Sequence, residues 1–134
     1  MRIDGGCHCG AITYRAEVDP EKTTICHCTD CQQLTGTAFR VSVRAPEDKY
    51  EITKGTPKIY VKIGANGARR AQGFCENCGS HLFATSADAG PKVYGIRVGT
   101  VRQREELVPR RQFWHRSALH WLPEFEAMET VETQ

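Results

Sequence analysis

Short segments in which apolar and polar residues alternate dominate this chain. In residues 37–46 (TAFRVSVRAP), Phe39, Val41 and Val43 share one face of an extended chain, and polar residues occupy the other face. Three more segments show this period of two residues: 11–18 (AITYRAEV), 58–64 (KIYVKIG) and 92–101 (KVYGIRVGTV). Such alternation is typical of β-strands with one buried face. The pattern therefore predicts an all-β fold.

Turn and helix signals refine this prediction. Asn66-Gly67, between Lys58 and Cys75, is a hairpin-turn signal. One short helix is predicted at the second cluster of cysteines. There Thr29 would be the N-cap, with Gln32 at the capping-box spacing, and Gly36 suits the C-terminal cap. We therefore expect small antiparallel sheets and a single short helix.

Length and charge narrow the class of protein. The 134 residues fit one domain, which we expect to span residues 1–126, followed by a frayed polar tail at 127–134. The net charge of +2 is too small for a nucleic-acid-binding surface, which normally requires a strongly basic domain. No apolar run approaches the roughly 20 residues of a membrane span, and the polar start MRIDGGCHCG lacks a secretory signal. We expect a cytoplasmic protein, whose thiols stay reduced.

Seven cysteines in three short clusters are the main chemical feature of the sequence. An odd number of closely spaced cysteines in a cytoplasmic chain favours metal binding or catalysis over disulfides. C-x-C in an extended segment directs both sulfur atoms to one side, and C-x-x-C does so across a tight turn. This spacing is a strong signal for zinc, which thiolates hold in a tetrahedron. The clusters are Cys7 and Cys9; Cys26, Cys28 and Cys31; and Cys75 and Cys78.

Seven thiols divide most simply into a site of four and a site of three. Four thiolates complete a closed structural zinc site, whereas three leave one position for an exchangeable ligand, as in catalytic sites. Spacing alone does not decide which clusters form which site. Cys26, Cys28 and Cys31 are close enough in sequence to bind one ion by themselves, which favours pooling of the other two clusters. Cys31 would lie in the first helical turn, where the helix dipole lowers a thiol pKa.

Two histidines, His8 and His27, lie between paired cysteines and are alternative candidates for a fourth ligand. The alternation that brings the neighbouring sulfur atoms together directs each imidazole away from them, and we favour this interpretation. His27 and Asp30 are also the candidates for a general acid or base nearest the three-cysteine cluster. A solvated surface carboxylate is the simpler interpretation of Asp30.

The segments GGCHCGAITY, CHCTDCQQLTG and FCENCGSHLF, in this order, resemble the glutathione-dependent formaldehyde-activating enzyme family, also called the centromere-protein-V-like family. The segment FWHRSALHWLPEF looks like the closing segment of that family. The resemblance covers roughly residues 3–125. It implies the β-tent fold, in which small antiparallel sheets are pinned by zinc.

The resemblance also implies the ligand sets and the activity. Cys7, Cys9, Cys75 and Cys78 would bind a structural zinc. Cys26, Cys28 and Cys31 would bind a catalytic zinc whose fourth position is open, so two zinc ions per chain are expected, the second partly occupied. The implied activity is that of a carbon–sulfur lyase, which joins formaldehyde to a small thiol, glutathione, as S-hydroxymethylglutathione.

Two other functions compete with the enzyme. One is a zinc-pinned β domain that binds a protein partner without chemistry, since cysteine-rich zinc knuckles are often purely structural. The other is a redox or metal-storage role for the three-cysteine cluster, because accessible thiolates of low pKa oxidise readily. The surplus cluster of three thiols favours the enzyme.

Several further side chains have both a functional and a structural interpretation. The arginines of the C-terminal third could attract an anionic substrate, although a solvated face offset by Glu105 and Glu106 is the simpler explanation. Ser80 and His81, after the last cysteine, are expected to hydrogen-bond around the zinc site rather than to catalyse. Aromatic residues near the C-terminus either cover an edge of the β core, which we favour for Phe113 and Phe125, or wall a pocket, which is equally plausible for Trp114 and Trp121. These arginines and aromatics are Arg102, Arg104, Arg110, Arg111, Arg116, Phe113, Trp114, Trp121 and Phe125.

Overall fold

The computed structural model describes residues 1–134 and contains ten β-strands and one α-helix. The helix α1 spans Thr29–Thr35. The strands are β1 (Arg2–Gly6), β2 (Thr13–Glu17), β3 (Thr24–Cys26), β4 (Arg40–Pro46), β5 (Tyr50–Lys54), β6 (Lys58–Ile63), β7 (Arg69–Phe74), β8 (His81–Ser86), β9 (Val93–Arg97) and β10 (Arg111–Phe113). Short 3-10 segments occur at Pro20–Lys22, Glu47–Lys49, Val98–Thr100, Arg104–Glu106, His115–Ser117 and Leu122–Ala127.

The strands form two sheets. A three-stranded sheet has the order β1-β2-β5, and a seven-stranded sheet has the order β10-β3-β4-β9-β8-β7-β6. Neighbouring strands are antiparallel except β10 and β3, which pair in parallel at one edge of the larger sheet. The prediction of an all-β fold with antiparallel sheets and one short helix is therefore confirmed, and the larger sheet carries one parallel pair in addition.

One apolar core lies where the two sheets meet. The smaller sheet contributes Ile3 and Tyr14, and the larger sheet contributes Val43, Leu82 and Ile96, the last three fully buried. Val43 and Ile96 are Cα partners across β4 and β9, so their side chains point to the same face. Each fully buried aliphatic side chain stabilises the fold by roughly 1.5–3 kcal/mol. This shared core keeps the two sheets together.

The opposite face of the larger sheet is polar, yet its centre is buried. Arg40 in β4 lies opposite Cys26 in β3, and Ser42 lies opposite Arg97 in β9. Because side chains alternate along a strand, these four residues share the face that points away from the core. Arg40 and Arg97 are each only 7% exposed. The alternation in residues 37–46 is confirmed, but the polar face that it defines is partly shielded from solvent.

The strand β6 is an edge strand whose apolar residues are exposed. The alternation in residues 58–64 predicted a strand, which is confirmed, but Ile59 and Ile63 are 48% and 62% exposed. Pairing occurs on only one side of β6, so nothing in the chain covers its outer edge. Lys58 places an exposed charge along this edge, which discourages pairing with another chain, whereas Lys62 is largely buried and pairs with Asp30.

The turn and the helix caps follow their sequence signals with one correction. Gly67 adopts a φ of 79° in the β6–β7 hairpin, and the N–H of Ala68 donates to Asn66 Oδ1 at 3.0 Å. Gly36 caps α1 in the left-handed conformation, as predicted. The N-cap, however, is Cys28 rather than Thr29, because the sulfur of Cys28 accepts the free N–H of Cys31.

The C-terminal part of the chain contains little regular structure. After β10 only the 3-10 segments His115–Ser117 and Leu122–Ala127 occur, and residues 128–134 form neither helix nor strand. The domain boundary at residue 126 and the fraying of the tail remain predictions. No helix combines the length and the apolar character that crossing a membrane requires.

The core predicts unequal effects for two identical substitutions. Ile96→Ala should lower the free energy of unfolding by about 2–5 kcal/mol, because it leaves a cavity at a fully buried position. Ile63→Ala, on the exposed edge strand, is the matched control and should change it by no more than about 0.5 kcal/mol. Urea unfolding followed by circular dichroism measures both. Equal losses would contradict the placement of the core.

Candidate metal centres

The first cluster of thiols joins the two sheets. Cys7 directly follows β1 of the smaller sheet, and Cys75 directly follows β7 of the larger sheet. Cys9 and Cys78 lie in the tight turns that begin at these two residues. All four sulfur atoms lie within 4.8 Å of one another. Two segments about 70 residues apart in sequence therefore converge on one point.

The spacing of these sulfur atoms fits a tetrahedral metal site. Zinc–sulfur bonds of about 2.3 Å place the sulfur atoms of a regular tetrahedron about 3.8 Å apart. The Cys7 and Cys9 sulfurs are 3.6 Å apart, and the Cys9 and Cys75 sulfurs are 3.8 Å apart. None of the seven cysteines forms a disulfide. The donor set and its dimensions therefore suit zinc with four thiolates.

Hydrogen bonds around this cluster favour thiolates. The N–H of Ile12 donates to Cys7 Sγ at 3.2 Å, and Ser80 Oγ lies 3.3 Å from Cys78 Sγ. The Ser80 hydroxyl is the main reason why the pKa of Cys78 falls to about 5. Ser80 is thus a hydrogen-bond partner of the cluster, as expected. His81 has no such contact, and its Nδ1 is buried without a partner.

The second cluster is built at the junction of β3 and α1. Cys26 is the last residue of β3, Cys28 is the N-cap of α1, and Cys31 lies in the first helical turn. Their three sulfur atoms lie within 4.8 Å of one another. No histidine or carboxylate belongs to this group. The cluster therefore offers three thiol ligands and leaves the fourth position of a tetrahedron without a ligand from the chain.

The thiols of this cluster differ in acidity. Hydrogen bonding with the Cys31 side chain is the main reason why the pKa of Cys26 falls to about 5. The same bond, together with burial, raises the pKa of Cys31. The pKa of Cys31 therefore shifts in the direction opposite to the one expected from the helix dipole. The sulfur of Cys28, the N-cap of α1, accepts the Cys31 N–H at 3.2 Å.

Neither histidine beside the clusters belongs to a ligand group. His27 is 2% exposed, and its Nε2 lies 2.7 Å from Gln112 Oε1 in β10. Its ring also packs edge-on against Phe39 and His115, with ring centroids 5.7 and 5.6 Å apart. His27 is therefore a packing residue between β3 and β10. His8 is exposed, and its backbone N–H donates to Ser80 Oγ at 3.0 Å.

A pocket of about 900 Å³ opens beside Cys28. Its wall includes Asp30, Lys62, Trp114 and Arg116. Asp30 Oδ2 lies 2.9 Å from Lys62 Nζ, so the carboxylate has an ion-pair partner rather than being merely solvated. The Arg116 guanidinium lies 4.8 Å from the centroid of the Trp114 ring. Trp114 has a left-handed backbone with a φ of 54°, a strained conformation for a large side chain.

Two further C-terminal arginines form ion pairs on the surface. Arg102 pairs with Asp4 at 3.1 Å and Arg110 with Glu21 at 3.3 Å, so their partners are not the neighbouring Glu105 and Glu106. Phe113, in β10, helps to cover the β3 edge, as expected. Phe125 is 49% exposed and packs against Trp121, with ring centroids 5.7 Å apart, so it covers the core less than expected.

Sequence reasoning missed four residues near the second cluster. The alternation places Arg40 and Arg97 on the polar faces of their strands. A two-residue period does not distinguish a buried arginine from a solvated one. Gln112 and Lys62 meet His27 and Asp30 from strands more than 30 residues away along the chain. Only strand order brings these pairs together.

Comparisons with known proteins agree with this geometry. A family model described as "Glutathione-dependent formaldehyde-activating enzyme" matches residues 2–117, which include all seven cysteines. The resemblance noted in the sequence is therefore confirmed. A crystal structure of a protein from Rhodobacter sphaeroides is similar with a TM-score of 0.62, covering 81% of this chain and 98% of that chain, at 18% identity. At this identity the likeness concerns the fold alone.

The two clusters predict separate losses of metal. The protein expressed with zinc should hold two metal ions per chain by elemental analysis. Cys75→Ser should remove the ion between the sheets and also lower the melting temperature, because that ion ties the sheets together. Cys26→Ser should remove the other ion with a smaller effect on melting. Loss of both ions in either variant, or of neither, would contradict two independent sites.

Proposed function

Because the chain belongs to the glutathione-dependent formaldehyde-activating enzyme family, we propose that it is a zinc-dependent carbon–sulfur lyase. Its substrates would be formaldehyde and a small thiol such as glutathione, and its product would be the S-hydroxymethyl thiol. The reverse reaction releases the aldehyde again. The reducing cytoplasm is the compartment that we propose, since all seven cysteines are free thiols.

The observation that carries this proposal is the three-thiol cluster beside an open pocket. Cys26, Cys28 and Cys31 converge without a fourth ligand, and Cys28 itself lines the 900 Å³ pocket. A closed structural site would need no such pocket and would have four ligands. We assign the catalytic ion to this cluster and the structural ion to Cys7, Cys9, Cys75 and Cys78.

Zinc bound to the three thiolates would supply Lewis acidity and would favour a thiolate over a thiol at neutral pH. The residues of the chain then have separate tasks. Cys28, which lines the pocket, is fixed at the start of α1 by the Cys31 N–H. Trp114 and Arg116 form part of the pocket wall.

Formation of the S-hydroxymethyl thiol requires one proton transfer, and so does its breakdown. The sulfur of the thiol forms a bond to the aldehyde carbon, the C=O π electrons move to oxygen, and the thiol proton ends on that oxygen. Asp30 Oδ2 and Lys62 Nζ are an acceptor and a donor on the pocket wall, 2.9 Å apart. We propose this pair for the proton transfer. His27 is a poorer candidate because it is buried and engaged with Gln112.

The activity test compares two variants by NMR exchange spectroscopy. The rate of exchange between ¹³C-labelled formaldehyde and S-hydroxymethylglutathione is measured with the zinc-loaded protein. Cys26→Ser should reduce the catalysed rate by at least about 100-fold, because the cluster no longer holds its ion. Arg102→Gln alters a surface arginine paired with Asp4 and should leave the rate unchanged.

Two results would count against the enzyme. One is a wild-type protein with both ions bound but no exchange above the uncatalysed rate. The other is a Cys26→Ser variant that retains its metal and its full rate. In the first case a non-catalytic binding domain would become the better explanation of the fold.

A further inference from the structure

Two arginines are buried in this protein without an acidic partner. Arg40 and Arg97 are each 7% exposed, and neither is among the residues that form salt bridges. Burying a charge is costly unless an opposite charge and hydrogen bonds compensate for it. The exposed arginines Arg15, Arg69, Arg102 and Arg110 all have carboxylate partners. Arg40 and Arg97 therefore lack the carboxylate partners that would offset the cost of burying their charges.

The hydrogen bonds of these two side chains leave several N–H groups free. Arg97 is held firmly, because Nη1 donates to Ser42 Oγ at 2.8 Å and to the Gly95 carbonyl at 3.2 Å, and Nη2 donates to Gln72 Oε1 at 3.0 Å. Arg40 has only a 3.4 Å bond from Nη1 to the same Gln72 oxygen. Arg40 Nε, Arg40 Nη2 and Arg97 Nε are buried without any partner.

Mutual repulsion adds to the cost of this arrangement. Both guanidinium groups donate to one amide oxygen, so the two cations are close neighbours. Burial, followed by the charge of Arg40, lowers the pKa of Arg97 to about 9. Gln72 carries no charge and therefore cannot neutralise either arginine. No carboxylate of the chain neutralises this pair.

A cavity of about 560 Å³ adjoins the two arginines. Arg40, Arg97 and His81 line it together with Thr35, Thr37 and Ser80. His81 Nδ1 is buried without a partner, and burial together with the two arginines lowers the pKa of this imidazole. A neutral imidazole can still donate one hydrogen bond. The cavity therefore offers cationic and neutral donors but no carboxylate.

This cavity adjoins the three-cysteine cluster. Arg40 is the direct cross-strand neighbour of Cys26, and their side chains share one face of the sheet. Thr35 lies one helical turn after Cys31, and its hydroxyl donates to the Cys31 carbonyl at 2.7 Å. A ligand whose sulfur approaches the cluster could therefore extend a second group toward the arginines.

We propose that Arg40 and Arg97, with His81, form a binding site for a carboxylate, and that this carboxylate belongs to the thiol substrate. The inference rests on the proposed function for the thiol and adds which residues bind a carboxylate of that thiol. A carboxylate matches the donors because its two oxygens accept several N–H bonds at once, and guanidinium groups bind it in a fork. Arg97 would be held in place by its hydrogen bonds within the protein. Arg40 would gain its missing hydrogen-bond partners from the ligand.

One competing role must be separated from this one. The thiols Cys31 and Cys26 act on Arg97 in the direction opposite to Arg40, so the arginines could simply balance the charge of the metal-bound thiolates. In that role they would affect metal affinity and would treat charged and neutral thiols alike. In the proposed role they would affect only ligands with a carboxylate.

The experiment measures the binding of two matched thiols to the zinc-loaded protein by calorimetry. The probes are 3-mercaptopropionate and its neutral amide, 3-mercaptopropionamide. The wild type should bind the carboxylate about 10- to 100-fold more tightly than the amide, as expected for charge-assisted hydrogen bonds. Arg40→Gln should abolish most of this preference while leaving the affinity for the amide unchanged.

Controls separate the site from general damage. Arg44→Gln, an exposed arginine four residues further along β4, should keep the full preference. Arg40→Lys should retain part of it, because the charge remains but the fork is lost. Zinc affinity, measured by competition with a chromophoric chelator, should be the same in Arg40→Gln as in the wild type, and so should the circular dichroism spectrum.

The outcomes distinguish this inference from the proposed function. Equal affinity of the wild type for the two thiols, or no binding of either, would overturn it. An Arg40→Gln variant that loses zinc affinity and both thiols together would also overturn it, since the arginine would then serve the metal. A preference for the carboxylate without any formaldehyde exchange would uphold the anion site and reject the lyase. Exchange activity without this preference would uphold the lyase and reject the anion site.

Discussion

The convergence of four thiols from two sheets is the constraint on which this structure depends. The loop after β1 and the turn after β7 come from different sheets and different halves of the chain, yet their sulfur atoms meet within 4.8 Å. A small domain buries a limited apolar core, and a metal ion at such a junction contributes its binding energy directly to folding. Cys7 and Cys75 belong to the buried core cluster themselves, so the ligands and the core form one unit.

With the sheets held in this way, the larger sheet can have two different faces. One face packs into the core through residues such as Val43 and Ile96. The other face holds Cys26, Arg40 and Arg97, which a core could not accommodate. A structure with one good core, and with four converging thiols that could hold a metal, can tolerate uncompensated charge on its second face. Residues that are costly for stability are expected at functional sites for this reason.

The second cluster differs from the first in its sequence origin and in the open space beside it. Its sulfur atoms come from a single stretch between β3 and α1, so it does not join distant segments. It lies between a pocket lined by Trp114 and a cavity lined by Arg40. The first cluster has the geometry of a clamp, and the second has the geometry of a site that meets other molecules. Both clusters consist of cysteines only, so they are distinguished by where they lie in the fold.

The sequence by itself determined the all-β character, the short helix ended by Gly36 and the grouping of seven cysteines into metal-binding clusters. These features depend on local spacing, such as a two-residue period, a turn signal or a C-x-x-C pair, which chain geometry converts directly into structure. Only the tertiary structure decided that Cys28 caps the helix, that the apolar side chains of β6 stay exposed and that Arg40 and Arg97 are buried together. Those outcomes depend on which strands become neighbours and which edge stays open, and these are long-range properties that no local pattern contains.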